Sequence, residues 1–245
     1  MAIHIGTSGW SYKHWKGIYY PEDLAPENYL NFYAADFSCV EINTSFYHLP
    51  QPGTVEHWMM ETPEKFRFCP KLSRYVTHIK RLHDPKETLP RFFEIFDPYL
   101  KYLGPVLIQL PPNLDFKPEV VEPFLETLTS TYQQYDFVLE ARHDSWLSED
   151  AMEMLHQYKT GWVIADSGGR WPSAKTITSR IVYIRFHGKE GKYNSRYSPE
   201  ELKIYADDIR RWRQERLQVW VFFNNDVGGY ALENAKELME MLQGG

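Results

Sequence analysis

The fold is decided by residues 37–50, which read FSCVEINTSFYHLP. The stretch begins as a buried β-strand should, and then places acidic, amide and hydroxyl side chains where the apolar run ought to continue. Because strand side chains alternate between two faces, Glu41, Asn43 and Ser45 are predicted to share one face. A carboxylate on a buried strand is costly unless it is paired, hydrogen-bonded or metal-bound, so Glu41 is the first candidate functional residue.

The chain contains eight short apolar runs of this kind, a length and composition that suit strands better than helices. They lie at 3–8, 37–43, 66–72, 105–110, 137–142, 161–166, 181–187 and 218–224. Segments with helical periodicity follow most of them, at 26–37, 54–61, 84–103, 118–132, 148–158, 198–215 and 229–242. The exception is 167–180, which contains Gly, Ser and Pro and is predicted to be an irregular connection.

Two of the helical segments carry start signals. Asp84 is predicted to be an N-cap, and Pro90 and Pro98 predict that its segment kinks or divides. Ser198 and Glu201 have the spacing of a capping box, with a proline directly after the cap.

Strands that alternate with helices require a parallel sheet with crossover connections. Eight strands in 245 residues fit a single α/β domain over 1–245, a compact (β/α)8 TIM barrel. Its connection between strands six and seven is reduced and poor in helix. A doubly wound open sheet is the alternative, but no Gly-x-Gly-x-x-Gly follows the first strand.

The composition narrows the function classes. The net charge of −6 argues against a protein that binds nucleic acid nonspecifically over its whole surface. Cys39 and Cys69 lie in apolar runs and are predicted to be buried, reduced thiols rather than metal ligands. Neither a signal peptide nor a membrane span is apparent, so a cytoplasmic protein with no membrane contact is expected.

In a parallel barrel, the carboxyl ends of the strands face one common mouth, where such folds place their chemistry. The predicted ligand-binding residues from strands one to four are Ser8, Trp10, Asn43, Tyr47, Lys71, Arg74, His78 and Gln109. Those from strands five to eight are Arg142, Asp166, Arg185, Asn224, Asn225 and Asp226. The opposite strand ends are nearly bare of charge, which favours a ligand site over a purely structural polar layer.

Cations dominate this predicted mouth. Residues 65–83 contain six Lys and Arg and no Asp or Glu, and Lys192 adds to them. Guanidinium groups suit phosphate and carboxylate, so an anionic, phosphate-containing small molecule is the predicted partner and nucleic acid the alternative. Aromatic residues of the same loops can stack on a sugar or base, or simply pack on the rim. They are Trp10, Tyr12, Trp15, Phe46, Tyr47, Trp146, Tyr193 and Tyr197.

The chemistry predicted for this mouth is acid–base catalysis. Neither a His-Glu-x-x-His motif nor a tight ligand spacing is present, and the cations would oppose a dication, so no metal or cofactor is predicted. A Gly-x-Ser-x-Gly nucleophile motif is also absent. Glu41, Glu140 and His187 are the predicted catalytic residues, because carboxylates and imidazoles are suited to general acid–base work.

Several blocks of the sequence resemble the YecE-like family, a domain of unknown function, over nearly the whole length. They are GTSGWSY at 6–12, VEINTSFY at 40–47, QLPP at 109–112, EARHDSW at 140–146, YIRFHG at 183–188 and FNND at 223–226. The resemblance implies a TIM barrel and brings no established reaction. Such barrels are similar to endonuclease IV and to sugar isomerases, which implies nucleic acid or phosphosugar ligands. The zinc-ligand set of endonuclease IV-like enzymes has no match here.

Three functions follow as hypotheses. The first is an enzyme, a hydrolase or an isomerase, that acts by acid–base chemistry on a phosphorylated or otherwise anionic small molecule bound at the mouth. The second is a nucleic-acid-binding protein or an endonuclease IV-like nuclease. The third is a noncatalytic ligand-binding barrel.

Overall fold

Within residues 2–189 and 195–243, which the computed structural model describes, eight β-strands form one parallel sheet. They are β1 (Ile3–Ser8), β2 (Cys39–Ile42), β3 (Arg67–Pro70), β4 (Val106–Gln109), β5 (Phe137–Glu140), β6 (Gly161–Asp166), β7 (Ile181–Phe186) and β8 (Gln218–Phe223). Each strand lies inside one of the eight predicted apolar runs. Their order in the sheet is β3-β2-β1-β8-β7-β6-β5-β4.

The two strands at the ends of this order, β3 and β4, meet and close the sheet into a barrel. Their pairing consists of two isolated positions, Phe68 with Leu103 and Lys71 with Leu107. The Leu72 amide donates to the Leu107 carbonyl at 2.8 Å, and the Gly104 amide donates to the Phe68 carbonyl at 2.8 Å. We call this pairing the seam. The closed barrel confirms the predicted (β/α)8 fold.

Helices cover the outside of the barrel. They are α1 (Tyr29–Asp36), α2 (Thr44–Tyr47), α3 (Pro52–Met60), α4 (Pro85–Thr88), α5 (Pro90–Phe96), α6 (Pro118–Thr131), α7 (Glu149–Gln157), α8 (Pro199–Gln214) and α9 (Tyr230–Gln243). Short 3-10 turns lie at Lys13–Trp15, Pro26–Asn28, Asp97–Tyr102, Asp144–Leu147 and Val227–Gly229, and a π-helical turn at Tyr75–Ile79. No helix in the described residues is both long enough and apolar enough to cross a membrane.

The predicted helix starts have different outcomes. The capping box of α8 is confirmed, because Ser198 and Glu201 bond reciprocally to each other's backbone amides. Asp84 occupies the predicted N-cap position of α4, but its side chain makes no capping bond and instead accepts from Lys80 Nζ at 3.2 Å. The backbone of Asp84 is left-handed, with φ of 52°. The segment after it divides, as its prolines predict, into α4, α5 and a 3-10 turn.

The connection between β6 and β7 is irregular, as predicted, and contains no helix over residues 167–180. Side chains rather than helical bonds hold it against the barrel. Thr178 Oγ1 accepts from the Trp162 amide and donates to the Thr160 carbonyl, both at 2.7 Å. The indole of Trp162 donates to the Ala174 carbonyl at 3.1 Å.

The interior of the barrel changes character along its axis. Its lower part is an apolar cluster, separate from the larger core between the strands and the helices. That cluster consists of Cys39, Cys69, Leu107, Val138, Val163, Ile181, Tyr183, Trp220 and Phe222. Both cysteines are free and buried, as predicted. Because inward positions alternate, the next inward residues toward the carboxyl ends include Glu41, Lys71 and Arg185, which places polar side chains beneath the mouth.

Candidate functional site

Two cations and two carboxylates form a network across the barrel beneath the mouth. Arg185 Nε and Nη2 donate to the two oxygens of Glu41 at 2.9 and 2.6 Å, and its Nη1 donates to Glu140 at 2.5 Å. Arg142 Nε donates to the other oxygen of Glu140 at 3.0 Å, and the Tyr183 hydroxyl donates to Glu41 at 2.9 Å. We call Glu41, Glu140, Arg142 and Arg185 the floor.

Within the floor, the pKa shifts of Glu140 and Arg185 favour their charged forms. Burial by itself raises the pKa of Glu140, but the charges of Arg185, Arg142 and His187 outweigh burial and hold that pKa well below its usual value. Burial opposes the charge of Arg185, yet Glu140 and Glu41 raise its pKa above the usual range. Charge pairing therefore dominates desolvation in this network.

His187 lies beside the floor and is fully buried. Its Nε2 is 3.4 Å from a Glu140 oxygen, and its Nδ1 is 3.2 Å from the side-chain nitrogen of Asn224. Burial lowers the pKa of His187, although Glu140 opposes that effect. The three predicted catalytic residues, Glu41, Glu140 and His187, are thus all buried, at 0–1% exposure. None of the three is among the described residues that line the cavity at the mouth.

Above the floor lies an open cavity of about 500 Å³. The structure brings ten of the predicted ligand-binding residues to its wall, namely Asn43, Tyr47, Lys71, Arg74, His78, Gln109, Arg142, Arg185, Asn224 and Asp226. Tyr12 and Phe46, which the sequence indicated only as loop aromatics, complete the lining. We call this space the cavity.

Asp166 does not line the cavity. It ends β6 with its side chain outside the barrel, where it accepts from the hydroxyls of Tyr205 at 2.8 Å and Tyr197 at 3.2 Å. The strand alternation explains this position, because a neighbour of the inward-facing Ala165 must point outward. Asp166 therefore fastens α8 to the barrel wall.

Three further predicted ligand-binding residues also lie away from the cavity wall. Ser8 is buried, and its backbone carbonyl accepts from the Tyr12 hydroxyl. Trp10 packs edge-on against Trp58, with ring centroids 5.4 Å apart. Asn225 is fully buried and donates to Asn234 at 3.1 Å. In this structure these residues hold loops against the barrel.

Lys71 is the buried cation whose surroundings differ from those of the floor. It is 7% exposed, and its Nζ donates to Gln109 Oε1 at 2.9 Å and lies 4.0 Å from the centroid of the Phe46 ring. No carboxylate of the described residues lies within 4.0 Å of this nitrogen. Burial, together with the charges of Arg185 and Arg142, lowers the pKa of Lys71 to about 7.

The π-helical turn Tyr75–Ile79 positions the imidazole of His78 at the cavity wall. No feature of the sequence indicated this turn. The Nδ1 of His78 is 2.9 Å from Thr77 Oγ1, and the His78 ring is edge-on to that of Phe46, with ring centroids 5.0 Å apart. Burial and the nearby cations, Lys71 first, lower the pKa of His78 to about 4, so the ring is neutral at pH 7.

The acid-free stretch 65–83 does not form one basic surface among the described residues. Lys65 and Arg67 lie at the amino-terminal end of β3, opposite the mouth. Lys80 is paired with Asp84 at 3.2 Å. The loops contribute less aromatic surface than the sequence suggests, because Trp15, Trp146 and Tyr197 are buried. Lys192 and Tyr193 lie outside the described residues.

The His, Cys, Asp and Glu side chains can also be judged as metal ligands. Among residues 2–189 and 195–243, no group of three or more His, Cys, Asp and Glu is arranged to hold a metal ion. Glu41 and Glu140 beneath the mouth are engaged by the guanidinium group of Arg185, which competes with a cation for the same oxygens.

A closed parallel barrel with a charged floor and an open, cation-lined cavity at the carboxyl ends of its strands defines a (β/α)8-barrel protein. The chain belongs to the family described as "Protein of unknown function DUF72", whose family model matches residues 4–245. The YecE-like resemblance is confirmed by this match and by the relatives that carry that name.

Two curated relatives illustrate the match. The chain is 30% identical over 270 residues to the UPF0759 protein YunF of Bacillus subtilis strain 168, covering 98% of this chain and 94% of YunF. It is 29% identical over 236 residues to the UPF0759 protein YecE of Escherichia coli K12, covering 86% of this chain and 82% of YecE.

Solved structures agree with the fold. A DUF72 family protein from Thermotoga maritima MSB8 superposes with a TM-score of 0.87 at 31% identity, covering 99% of this chain and 100% of that protein. One from Enterococcus faecalis V583 gives a TM-score of 0.85 at 22% identity, covering 99% and 96% of the two chains. The second likeness concerns the fold alone.

Proposed function

We propose that the protein is an enzyme that binds a small phosphorylated or carboxylated compound in the cavity and acts on it by proton transfer. The observation that carries the proposal is Lys71, a buried cation that faces the cavity with no carboxylate of the described residues within 4.0 Å. A buried charge without a counter-charge is costly, and an anionic ligand would supply the counter-charge.

Other groups on the cavity wall suit the same ligand. Arg74 is exposed at the rim. Arg142 donates its Nε to Glu140, and its two Nη groups make no hydrogen bond to the described residues, so they can bind an anion. The side-chain oxygen of Asn43 is buried and has no hydrogen-bond partner among the described residues, so it can accept from a ligand hydroxyl. The cavity volume of about 500 Å³ is that of a small-molecule site.

The floor has a supporting role in this proposal. Glu41 and Glu140 of the floor, with His187 beside it, act by holding Arg185, Arg142 and Asn224 in place rather than by touching the ligand. Proton transfer then falls to titratable groups on the cavity wall. Lys71, with a pKa of about 7, is matched to neutral pH, which is where general acid–base catalysis is most efficient. Isomerisation or hydrolysis of a phosphorylated compound fits this arrangement.

A thermal-shift screen tests the proposal, because a ligand that binds the folded state raises the melting temperature. The probes are inorganic phosphate, phosphosugars, small carboxylates, nucleotides and short oligonucleotides. We expect phosphosugars or carboxylates to raise the melting temperature, with weaker shifts in Arg74→Met and Lys71→Met. Lys203→Met, an exposed position on α8, is the matched control and should behave as wild type.

The outcomes separate the three hypotheses. A compound that binds must also be converted when incubated with the protein, and binding without conversion would favour the noncatalytic barrel. Affinity for oligonucleotides alone, falling steeply with salt, would favour the nucleic-acid alternative. Shifts that are the same in wild type, Arg74→Met and Lys71→Met would overturn the assignment of the cavity.

A further inference from the structure

The amine of Lys71 is held but not neutralised. Its hydrogen bond to Gln109 and its position over the Phe46 ring fix the nitrogen, and the side chain also lines the cavity. Lysines elsewhere in the described chain that have a charged partner lie at the surface and pair with Asp or Glu. They are Lys80, Lys117, Lys175, Lys189 and Lys236.

The surroundings of Lys71 shift its amine toward the neutral form. The carboxylates Glu41 and Glu140 partly offset the effect of burial, but both are engaged by guanidinium groups of the floor. With a pKa of about 7, roughly half of the molecules carry a neutral amine with a free lone pair at pH 7. A lysine desolvated beside other cations is the usual form of an activated amine nucleophile.

We propose that Lys71 is the nucleophile of this site and forms an imine with a small aldehyde or ketone that also carries a phosphate or carboxylate group. This inference rests on the proposed function and specifies its substrate class. The anionic group pairs with Arg74 or Arg142 at the cavity wall, which places the carbonyl carbon beside Nζ.

The step balances without an oxidant or a reductant. The lone pair of Nζ forms a bond to the carbonyl carbon, the C=O π pair moves to oxygen, and one amine hydrogen transfers to that oxygen. The resulting hydroxyl leaves as water with the second amine hydrogen, and the nitrogen lone pair forms the C=N bond. The imine then withdraws electrons from the neighbouring carbon, which assists proton removal or carbon–carbon cleavage there.

Reductive trapping of the intact protein tests the proposal. Pyruvate, glyoxylate and dihydroxyacetone phosphate are the anionic probes, and acetone is the uncharged control. Each is incubated with the protein at pH 7, and cyanoborohydride converts any imine to a stable amine that peptide mass spectrometry locates. We expect labelling of Lys71 to exceed that of exposed lysines on the order of a hundred-fold, because ordinary ammonium groups are almost fully protonated at this pH.

The variants keep the result interpretable. Lys71→Arg retains the charge but cannot form the imine, so its adduct should be lost, while Lys203→Arg should label as wild type does.

A second experiment needs no variant: the rate at which acetic anhydride labels each lysine of the wild-type protein is measured as a function of pH. Lys71 should reach half its maximal rate near pH 7, and exposed lysines near pH 10. The charged or titratable groups facing Lys71 are Glu41, Arg74, His78, Glu140, Arg142 and Arg185.

Adducts spread over lysines in proportion to exposure, or an adduct unchanged in Lys71→Arg, would overturn the inference. Equal labelling by acetone would show that the anionic group is not recognised and would overturn the substrate class. An anion-induced rise in melting temperature with no trapped adduct would reject imine formation and leave the proposed function standing. Absence of both results would reject both proposals.

Discussion

Arg185 and Lys71 are buried cations at the same end of the barrel, and their surroundings are opposite. Arg185 makes three charge-assisted bonds to two carboxylates, whereas Lys71 makes one bond to a neutral amide. Both carboxylates of the floor thus have guanidinium partners. The cavity retains a charge that the described residues do not satisfy. Buried charge by itself is therefore a poor guide to function, and the informative feature is buried charge without a partner.

The substitution with the largest expected effect on stability is Arg185→Met, which tests this contrast directly. It leaves Glu41 and Glu140 buried without their main partner, and we expect the free energy of unfolding to fall by about 3–5 kcal/mol. Urea denaturation at pH 7 measures the loss. Arg180→Met, at an exposed position just before β7, is the matched control and should change stability by less than about 0.5 kcal/mol. A loss at Arg185 no larger than the control's would mean that the floor is not a closed network.

A smaller loss is expected for Glu140→Gln, about 1.5–3 kcal/mol at pH 7, because hydrogen bonds to charged groups are replaced by weaker ones. The pKa of Glu140 is lower in the folded state than its ordinary value of 4.5. Its contribution is therefore complete above about pH 4.5 and is lost as the pH falls through the folded-state pKa. Urea titrations at pH 7 and pH 3 should show the gap between wild type and variant narrowing.

The control for the pH dependence is Glu153→Gln, an exposed position on α7, whose stability should run parallel to that of wild type. A gap between Glu140→Gln and wild type that stays constant down to pH 3 would show that Glu140 is not held ionised by its cationic neighbours.

The smallest expected effect is a gain in stability rather than a loss. Lys71→Met should raise the free energy of unfolding at pH 7 by about 0.5–2 kcal/mol while weakening ligand binding, the usual exchange at a functional site. The pKa of Lys71 falls from 10.5 to about 7 on folding, so wild-type stability rises with pH between these values. The advantage of Lys71→Met should therefore shrink by pH 10. Destabilisation at pH 7, with Lys203→Met unchanged, would place Lys71 among the structural cations.

Part of this site follows from local sequence alone. Alternation along β2 predicts the inward direction of Glu41, but the strand ends at Ile42, so the alternation predicted through Asn43 and Ser45 is wrong. Asn43 lines the cavity from a helical backbone conformation, and Ser45 lies in α2. The partners of Glu41 could not be predicted in the same way. Tyr183 and Arg185 lie 142 and 144 residues further along the chain and meet Glu41 only because the barrel closes. Pairing across a barrel depends on strand order and register, which no single strand encodes.

The predicted site residues that do not line the cavity show a second limit of prediction from sequence. β6 is apolar on both faces, so its sequence has no alternation from which the outward direction of Asp166 could be read. Trp10 follows Gly9, whose φ of 97° turns the chain out of the strand direction, so the alternation of β1 no longer applies. The side of the sheet to which a side chain points can be predicted from sequence only where one face of the strand is polar and its backbone stays extended.

The seam between β3 and β4 has a consequence for detecting ligands. Lys71 lies on one side of it and Gln109 on the other, so a compound that engages both sides of the cavity tethers the two strands. The amides of Leu72 and Gly104, whose hydrogen bonds cross the seam, should then exchange with deuterium more slowly. Exchange at these two positions would report occupancy of the cavity before any reaction is known.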